Sequence, residues 1–150
     1  MKTLHIDVIH GPNLNLLGER EPHVYGTQTL AEIDAQLQRL GNDLSAVITT
    51  FQSNHEGALV DRIQAGRHQM DAFLLNPAGY THTSVALRDA VLAAGKPVVE
   101  VHLSNTDARE PFRRNSFLAD VAWARIQGFG AVGYELALRG LVGHLRARDR

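Results

Sequence analysis

Short apolar runs alternate with amphipathic stretches of helical period along nearly the whole chain. Leu4 to Ile9, Ala46 to Phe51, Ala72 to Leu75, Val98 to Leu103 and Ala122 to Gln127 read as strands. Thr29 to about Leu44, His55 to Arg67, Thr83 to Ala94 and Val132 to Ala147 read as helices. Leu30, Ile33, Leu37 and Leu40 form the apolar stripe of the first of these, the spacing that puts side chains on one helical face. Thr29 with Glu32, and Ser53 with Glu56, have capping-box spacing. Gly95 stops the third helix and Pro97 follows it, the usual punctuation of a helix C-terminus.

Strands that alternate with helices through short connections pair in parallel and are covered on both faces. The expected fold is therefore α/β: a flavodoxin-like, doubly wound, five-stranded parallel sheet with helices on both faces. Residues 1–150 are expected to form a single domain, a length that can bury a real core. Right-handed crossovers bring every strand's C-terminal end to one edge, where such sheets bind ligands. Asn13, Asn54, Asn76, His102 and Ser104 all fall at that edge.

The first strand runs into His10-Gly11-Pro12-Asn13-Leu14-Asn15-Leu16-Leu17-Gly18. That loop lacks the Ser, Thr and Lys of a phosphate cradle. Next come Arg20 and, five residues on, Tyr25. A free phenol has a pKa of about 10, and lowering it by two units takes about 2.7 kcal/mol. A guanidinium within about 4–6 Å favours the phenolate, so Arg20, with Arg113 joining through the fold, could make Tyr25 a base. Taken alone, the pair fits a ring packed on a surface loop better than it fits a base.

Glu100 and His102 are two apart on a strand, so both point to the same face. A carboxylate beside an imidazole raises its pKa and suits it to donate protons. A structural histidine at the edge of the core is the other reading. Downstream, Arg109, Arg113 and Arg114 lie within six positions of an otherwise near-neutral chain of net charge -1. Guanidinium forks suit a carboxylate ligand, although Asp107 and Glu110 make surface ion pairs an alternative, above all for Arg114. Asn76 to Ser84 offers amide, hydroxyl and imidazole groups at a helix start, which suits a polyhydroxylated anion, or simply caps the helix. His10, His23 and His55 fall in or near this region, whereas His5, His68 and His144 read as structural.

The balanced charge gives no general attraction to nucleic acid or membrane. No apolar run reaches membrane-spanning length, and nothing at the N-terminus reads as a secretory signal. There is no cysteine, which removes thiolate chemistry and fits a cytoplasmic location. No HExxH-like or other metal-ligand spacing appears, so no metal is expected.

Several of these segments, in order, closely resemble the type II 3-dehydroquinate dehydratases. They are His10 to Gly18, Arg20-Glu21-Pro22, Tyr25-Gly26, Gln52 to Gly57, Tyr80 to Ala90 and Glu100 to Asn105. The resemblance implies a lyase of the shikimate pathway, serving aromatic amino acid biosynthesis. It would turn the small molecule 3-dehydroquinate into 3-dehydroshikimate and water through an enolate, without a cofactor, in a dodecamer built from trimers. It implies Tyr25 as the base at C2 and Arg20 as the residue that supports it. Asn13 would hold a water against the enolate, and His102, supported by Glu100, would be the acid at the C1 hydroxyl. Asn76, His82, Leu103, Ser104 and Arg113 match substrate-binding positions. Asp89 resembles a carboxylate that reaches a neighbouring subunit's site, and Arg109 a second arginine near the lid. Pro77-Ala78-Gly79 stands where Pro-Gly-Ala is commoner, a swap expected to affect the turn beside Asn76, and His23 occupies a variable lid position.

Three other readings stand beside this one. A flavodoxin-like binding or signalling module would want a hydroxyl-rich phosphate loop or an acidic cluster, and neither is present. Dehydration through a Schiff base needs a buried lysine. The chain has only Lys2 and Lys96, both at strand beginnings on the opposite edge. An inactive structural relative fits poorly with Tyr25, Arg20 and His102 all in place.

Overall fold

The structure, a computed structural model, describes residues 1–150. Five parallel strands form one sheet: β1 (Leu4–His10), β2 (Ala46–Gln52), β3 (Ala72–Asn76), β4 (Val98–His102) and β5 (Ala124–Gln127). Their order is β2-β1-β3-β4-β5, the flavodoxin-like winding expected from the alternation. The helices are α1 (Pro22–Tyr25), α2 (Leu30–Asp43), α3 (Glu56–Gly66), α4 (Val85–Ala94) and α5 (Val132–Arg148). None is long and apolar enough to cross a membrane.

Two apolar layers hold the helices to the sheet. Leu4, Ile6 and Val8 of β1 share one core with Ile33 and Leu37 of α2 and with Leu138 and Leu141 of α5. Ile9 and Phe73 face the other way, against Leu59 and Ile63 of α3 and Leu87 and Val91 of α4. The alternation along β1 thus splits its side chains between two cores, as the pleat requires. Asp7, on the α3 side, is buried. Its carboxylate is chelated by Arg62 at 2.7 and 2.8 Å and accepts from the Thr49 hydroxyl at 2.6 Å. A buried charge in an apolar strand is tolerable only when paired this way.

The helix starts refine the expected boundaries. Thr29 caps α2 by accepting from the Glu32 N–H, as its spacing predicts. The expected Ser53–Glu56 box does not form. His55 is the cap residue of α3, and the Ser53 hydroxyl accepts instead from the His55 N–H. The third long helix begins two residues later than expected, at Val85. Ser84 caps it by accepting from the Leu87 N–H, and Ala78–His82 forms a separate 3-10 turn. Gly95 ends α4 in the left-handed region at φ 64°, as the sequence implies.

Because β1 sends the chain to β2 on one side and has β3 on the other, a crevice opens above β1 and β3. The register places His10 beside Gln52 and Asn76, and His102 beside Gln127, all at the strands' C-terminal ends. The loops after β1 and β3 nearly touch. A Cβ at Gly11 would lie 2.5 Å from the Pro77 carbonyl oxygen, so only glycine permits that approach.

Candidate active site

A cavity lies over this edge, lined from the ends of β1, β3 and β4 and the loops after them. Asn13, Arg20 and Tyr25 come from the segment after β1, and Asn76 and His82 from the end of β3 and its turn. His102, Leu103, Ser104, Arg109 and Arg113 come from the end of β4 and its loop. Three arginines and no carboxylate face the space. In a chain of net charge -1, this is a locally positive site, suited to an anion.

Asn13 precedes a 3-10 turn at φ 69°, one of four non-glycine residues in the left-handed region. Asparagine is among the few side chains that adopt it readily. Its N–H donates to the Asn54 side chain at 3.0 Å, and the residue lines the cavity.

Tyr25 ends the short helix α1, half-buried. Two guanidiniums lie against its ring, with Arg20 Cζ 4.9 Å and Arg109 Cζ 5.3 Å from the centroid. The expectation that Arg113 joins Arg20 at the tyrosine is corrected here. Arg113 lines the cavity but donates to Glu110 at 2.7 Å and sits over Phe112. Arg109 takes the place at the ring and also donates to the Ser104 hydroxyl at 3.2 Å. Its geometry shows that it is not a solvated loop residue.

His102 and Glu100 share a face of β4, as alternation requires, with Nε2 2.5 Å from a carboxylate oxygen of Glu100. Glu100 is fully buried. Burial alone would raise its pKa. The hydrogen bond and charge of His102, the Arg125 guanidinium and the Ser116 hydroxyl together outweigh that and hold it below the ordinary value. Thr81 also donates to this carboxylate, at 3.0 Å. With Nε2 engaged by Glu100, Nδ1 is the ring nitrogen free to act toward a ligand.

Sequence reading missed Thr81, Ser116 and Arg125. Arg125 is the cross-strand neighbour of Glu100, and its Nε is 3.3 Å from the carboxylate. The signal was there, but only after pairing β4 with β5 in register. Tyr134 was missed as well: it is fully buried in α5, yet its hydroxyl reaches His10 and Asn76.

His82 Nδ1 lies 2.7 Å from the Asn115 carbonyl. A carbonyl only accepts, so Nδ1 carries the proton and neutral Nε2 is an acceptor. Burial lowers its pKa, as do the charges of His102 and Arg113, while the Asn115 bond and Glu100 oppose them. Asp89 is exposed on α4 and does not line this cavity. Leu103 is buried in the cavity wall. No three His, Asp or Glu side chains gather as a metal site would need.

Residues 4–142 match the family model described as dehydroquinase class II. The 3-dehydroquinate dehydratase of Dinoroseobacter shibae is 53% identical over 146 residues, covering 97% of each chain. That of Bordetella avium is 57% identical, covering 91% of this chain and 96% of its own. The crystal structure of the type II dehydroquinase from Butyrivibrio crossotus superposes with a TM-score of 0.91 at 38% identity. It covers 93% of this chain and 97% of that one.

Proposed function

The chain belongs to the class II dehydroquinase family, and on that premise we propose that it dehydrates 3-dehydroquinate to 3-dehydroshikimate with Tyr25 as base and His102 as acid. The observation that carries the reading is a single cavity that sets Tyr25 against two guanidiniums, faces it with a carboxylate-held imidazole, and is otherwise cationic.

The phenolate of Tyr25 takes a proton from C2, beside the ketone. The C2–H pair becomes an enolate, and negative charge moves onto the C3 oxygen. Asn13 holds a water against that oxygen, an oxyanion-type role. As the enolate collapses, the C1–O bond breaks and the His102 imidazolium gives its Nδ1 proton to the leaving hydroxyl, which departs as water. The double bond between C1 and C2 is then conjugated with the ketone. Arg20 and Arg109 place positive charge where the base carries negative charge, and Glu100 balances the imidazolium.

The remaining side chains hold the substrate. His82 accepts from a hydroxyl through Nε2, and Asn76 donates to an oxygen. The N–H of Ser104, the backbone of Leu103 and the guanidinium of Arg113 take the carboxylate. Asp89, remote from its own cavity, completes the site of a neighbouring copy. The assembly we assign is a dodecamer of trimers in the cytoplasm, each chain one domain over residues 1–150. The lysines support no Schiff-base route, because Lys2 and Lys96 lie around a hollow at the opposite sheet edge.

The test is the ultraviolet rise of the conjugated enone when the protein meets 3-dehydroquinate, with and without a chelator. A chelator-insensitive rise supports the reading. No rise from folded protein would overturn it in favour of a flavodoxin-like binding module.

A further inference from the structure

Asn76 of the cavity wall ends a hydrogen-bonded line of four side chains, and the other three, Asp34, His10 and Tyr134, have no part in the proposed chemistry. Asp34 of α2 lies 2.7 Å from His10 Nε2. The Tyr134 hydroxyl is 3.0 Å from His10 Nδ1. Asn76 Nδ2 donates to the Tyr134 oxygen at 2.9 Å, and the Asn76 carbonyl oxygen accepts from the Ala78 N–H at 3.1 Å. His10, Tyr134 and Asn76 are buried; only Asp34 reaches solvent, with 22% of its side chain exposed.

The chemistry of each group leaves one direction for the protons. A carboxylate only accepts, so His10 carries its proton on Nε2. A proton on Nδ1 as well would set two donors, Nδ1–H and the Asn76 amino group, on the Tyr134 oxygen and leave the buried hydroxyl proton no acceptor, so Nδ1 is bare and accepts the Tyr134 O–H. Burial keeps that phenol protonated, by raising its pKa. With its proton committed to His10, the Tyr134 oxygen accepts from Asn76. A flipped Asn76 would set its carbonyl against an oxygen with no proton to give, and its amino group against the Ala78 N–H. Every bond therefore points the same way, from Asn76 toward Asp34. The second Nδ2 hydrogen of Asn76 is left for the cavity, with no acceptor beside it.

We propose that Asp34, His10 and Tyr134 are positioning residues that present Asn76 to the substrate as a hydrogen-bond donor only, selecting an acceptor oxygen at that point of the ligand. This rests on the reading of Asn76 as a substrate contact. Asp34 does not line the cavity, so its influence on the ligand travels through three hydrogen bonds.

Nitrogen-15 NMR of histidine-labelled wild-type protein at about pH 8, where an ordinary imidazole is neutral, reads the tautomer directly. His10 with a protonated Nε2 and a bare Nδ1 is expected, and a protonated Nδ1 overturns the relay. In steady-state kinetics, Tyr134→Phe and Asp34→Leu are each expected to raise KM about tenfold, equivalent to about 1.4 kcal/mol, with kcat little changed. Asp34→Asn keeps an acceptor oxygen and is expected to restore most of the wild-type KM. A wild-type KM in Asp34→Leu overturns the proposal even if Tyr134→Phe does not fold. The tautomer is read without turnover, so it stands or falls separately from the dehydratase assignment. Wild-type protein inactive on 3-dehydroquinate would refute that assignment alone.

Discussion

His82 and His102 stack with ring centroids 6.4 Å apart, yet only His102 touches a carboxylate. Their protons are therefore governed differently. His82 donates to a carbonyl and has its pKa lowered by burial and by neighbouring positive charge, while His102 rests on Glu100. The two can be close without both being cationic.

This difference sets a pH dependence. The folded pKa of His82 lies below its ordinary 6.5, so the ring is neutral above that value and protonates only as pH falls further. On the proposed reading, neutral Nε2 is the acceptor for a substrate hydroxyl, a role the protonated ring cannot fill. KM for 3-dehydroquinate is expected to be flat from neutral pH down to about the ordinary histidine value and to rise below it. His82→Asn should flatten that rise. A KM that instead improves on acidification would mean that a cationic His82 binds the substrate.

Tyr25→Phe tests the base. Positioned acid–base groups contribute about 10²–10⁴-fold, so kcat is expected to drop about 10³-fold. Affinity for the product should change little, because the three cavity arginines remain. Arg109→Met removes a guanidinium from the tyrosine ring and is expected to lower kcat about tenfold, from about 1.4 kcal/mol. Arg113→Met, away from that ring, should act mainly on KM. Stopped-flow enone absorbance separates these effects, and near-wild-type turnover by Tyr25→Phe would end its assignment as base.

Glu100 links its pairing with His102 to stability. Its carboxyl lies below the ordinary 4.5 in the fold despite complete burial, because its partners outweigh desolvation. The stabilisation is therefore present above about pH 4.5 and is lost as pH falls through the folded value. Glu100→Gln leaves Arg125 without its counter-charge and is expected to cost about 3 kcal/mol at pH 7. Denaturation measured from pH 7 to pH 3 should show the gap between variant and wild type closing. A constant gap would mean that packing, and not charge, is what the carboxylate supplies.

The five strands and four long helices were legible because periodicity and helix punctuation are local. The pairing of Glu100 with His102 was legible for the same reason, since alternation along one strand decides it. What sequence could not reach depends on neighbours distant in the chain. Arg125 meets Glu100 through the register of β4 and β5, and Tyr134 meets His10 and Asn76 only because α5 packs over β3 and β4. The choice between Arg109 and Arg113 as the second arginine at Tyr25 turns on loop geometry after β4, where no period exists to read. Ser53 misleads because its spacing to Glu56 fits a capping box, while the chain uses the same hydroxyl for a bend.

Ala78 offers the last test, of local strain beside the site. It sits at φ 52°, in the left-handed region, while the glycine of this turn, Gly79, does not adopt a positive φ. A Cβ in that region costs about 1–2 kcal/mol. Replacing it with glycine relieves that strain but adds chain entropy to the unfolded state, about 0.4–1 kcal/mol. Relief is the larger effect, so Ala78→Gly is expected to stabilise the protein by about 0.5–1 kcal/mol. The Ala78 N–H that holds the Asn76 carbonyl is kept, so KM should not move. Urea denaturation measures the first expectation and steady-state kinetics the second. A destabilised Ala78→Gly would show that the alanine methyl packs usefully where it lies and that the turn is not strained.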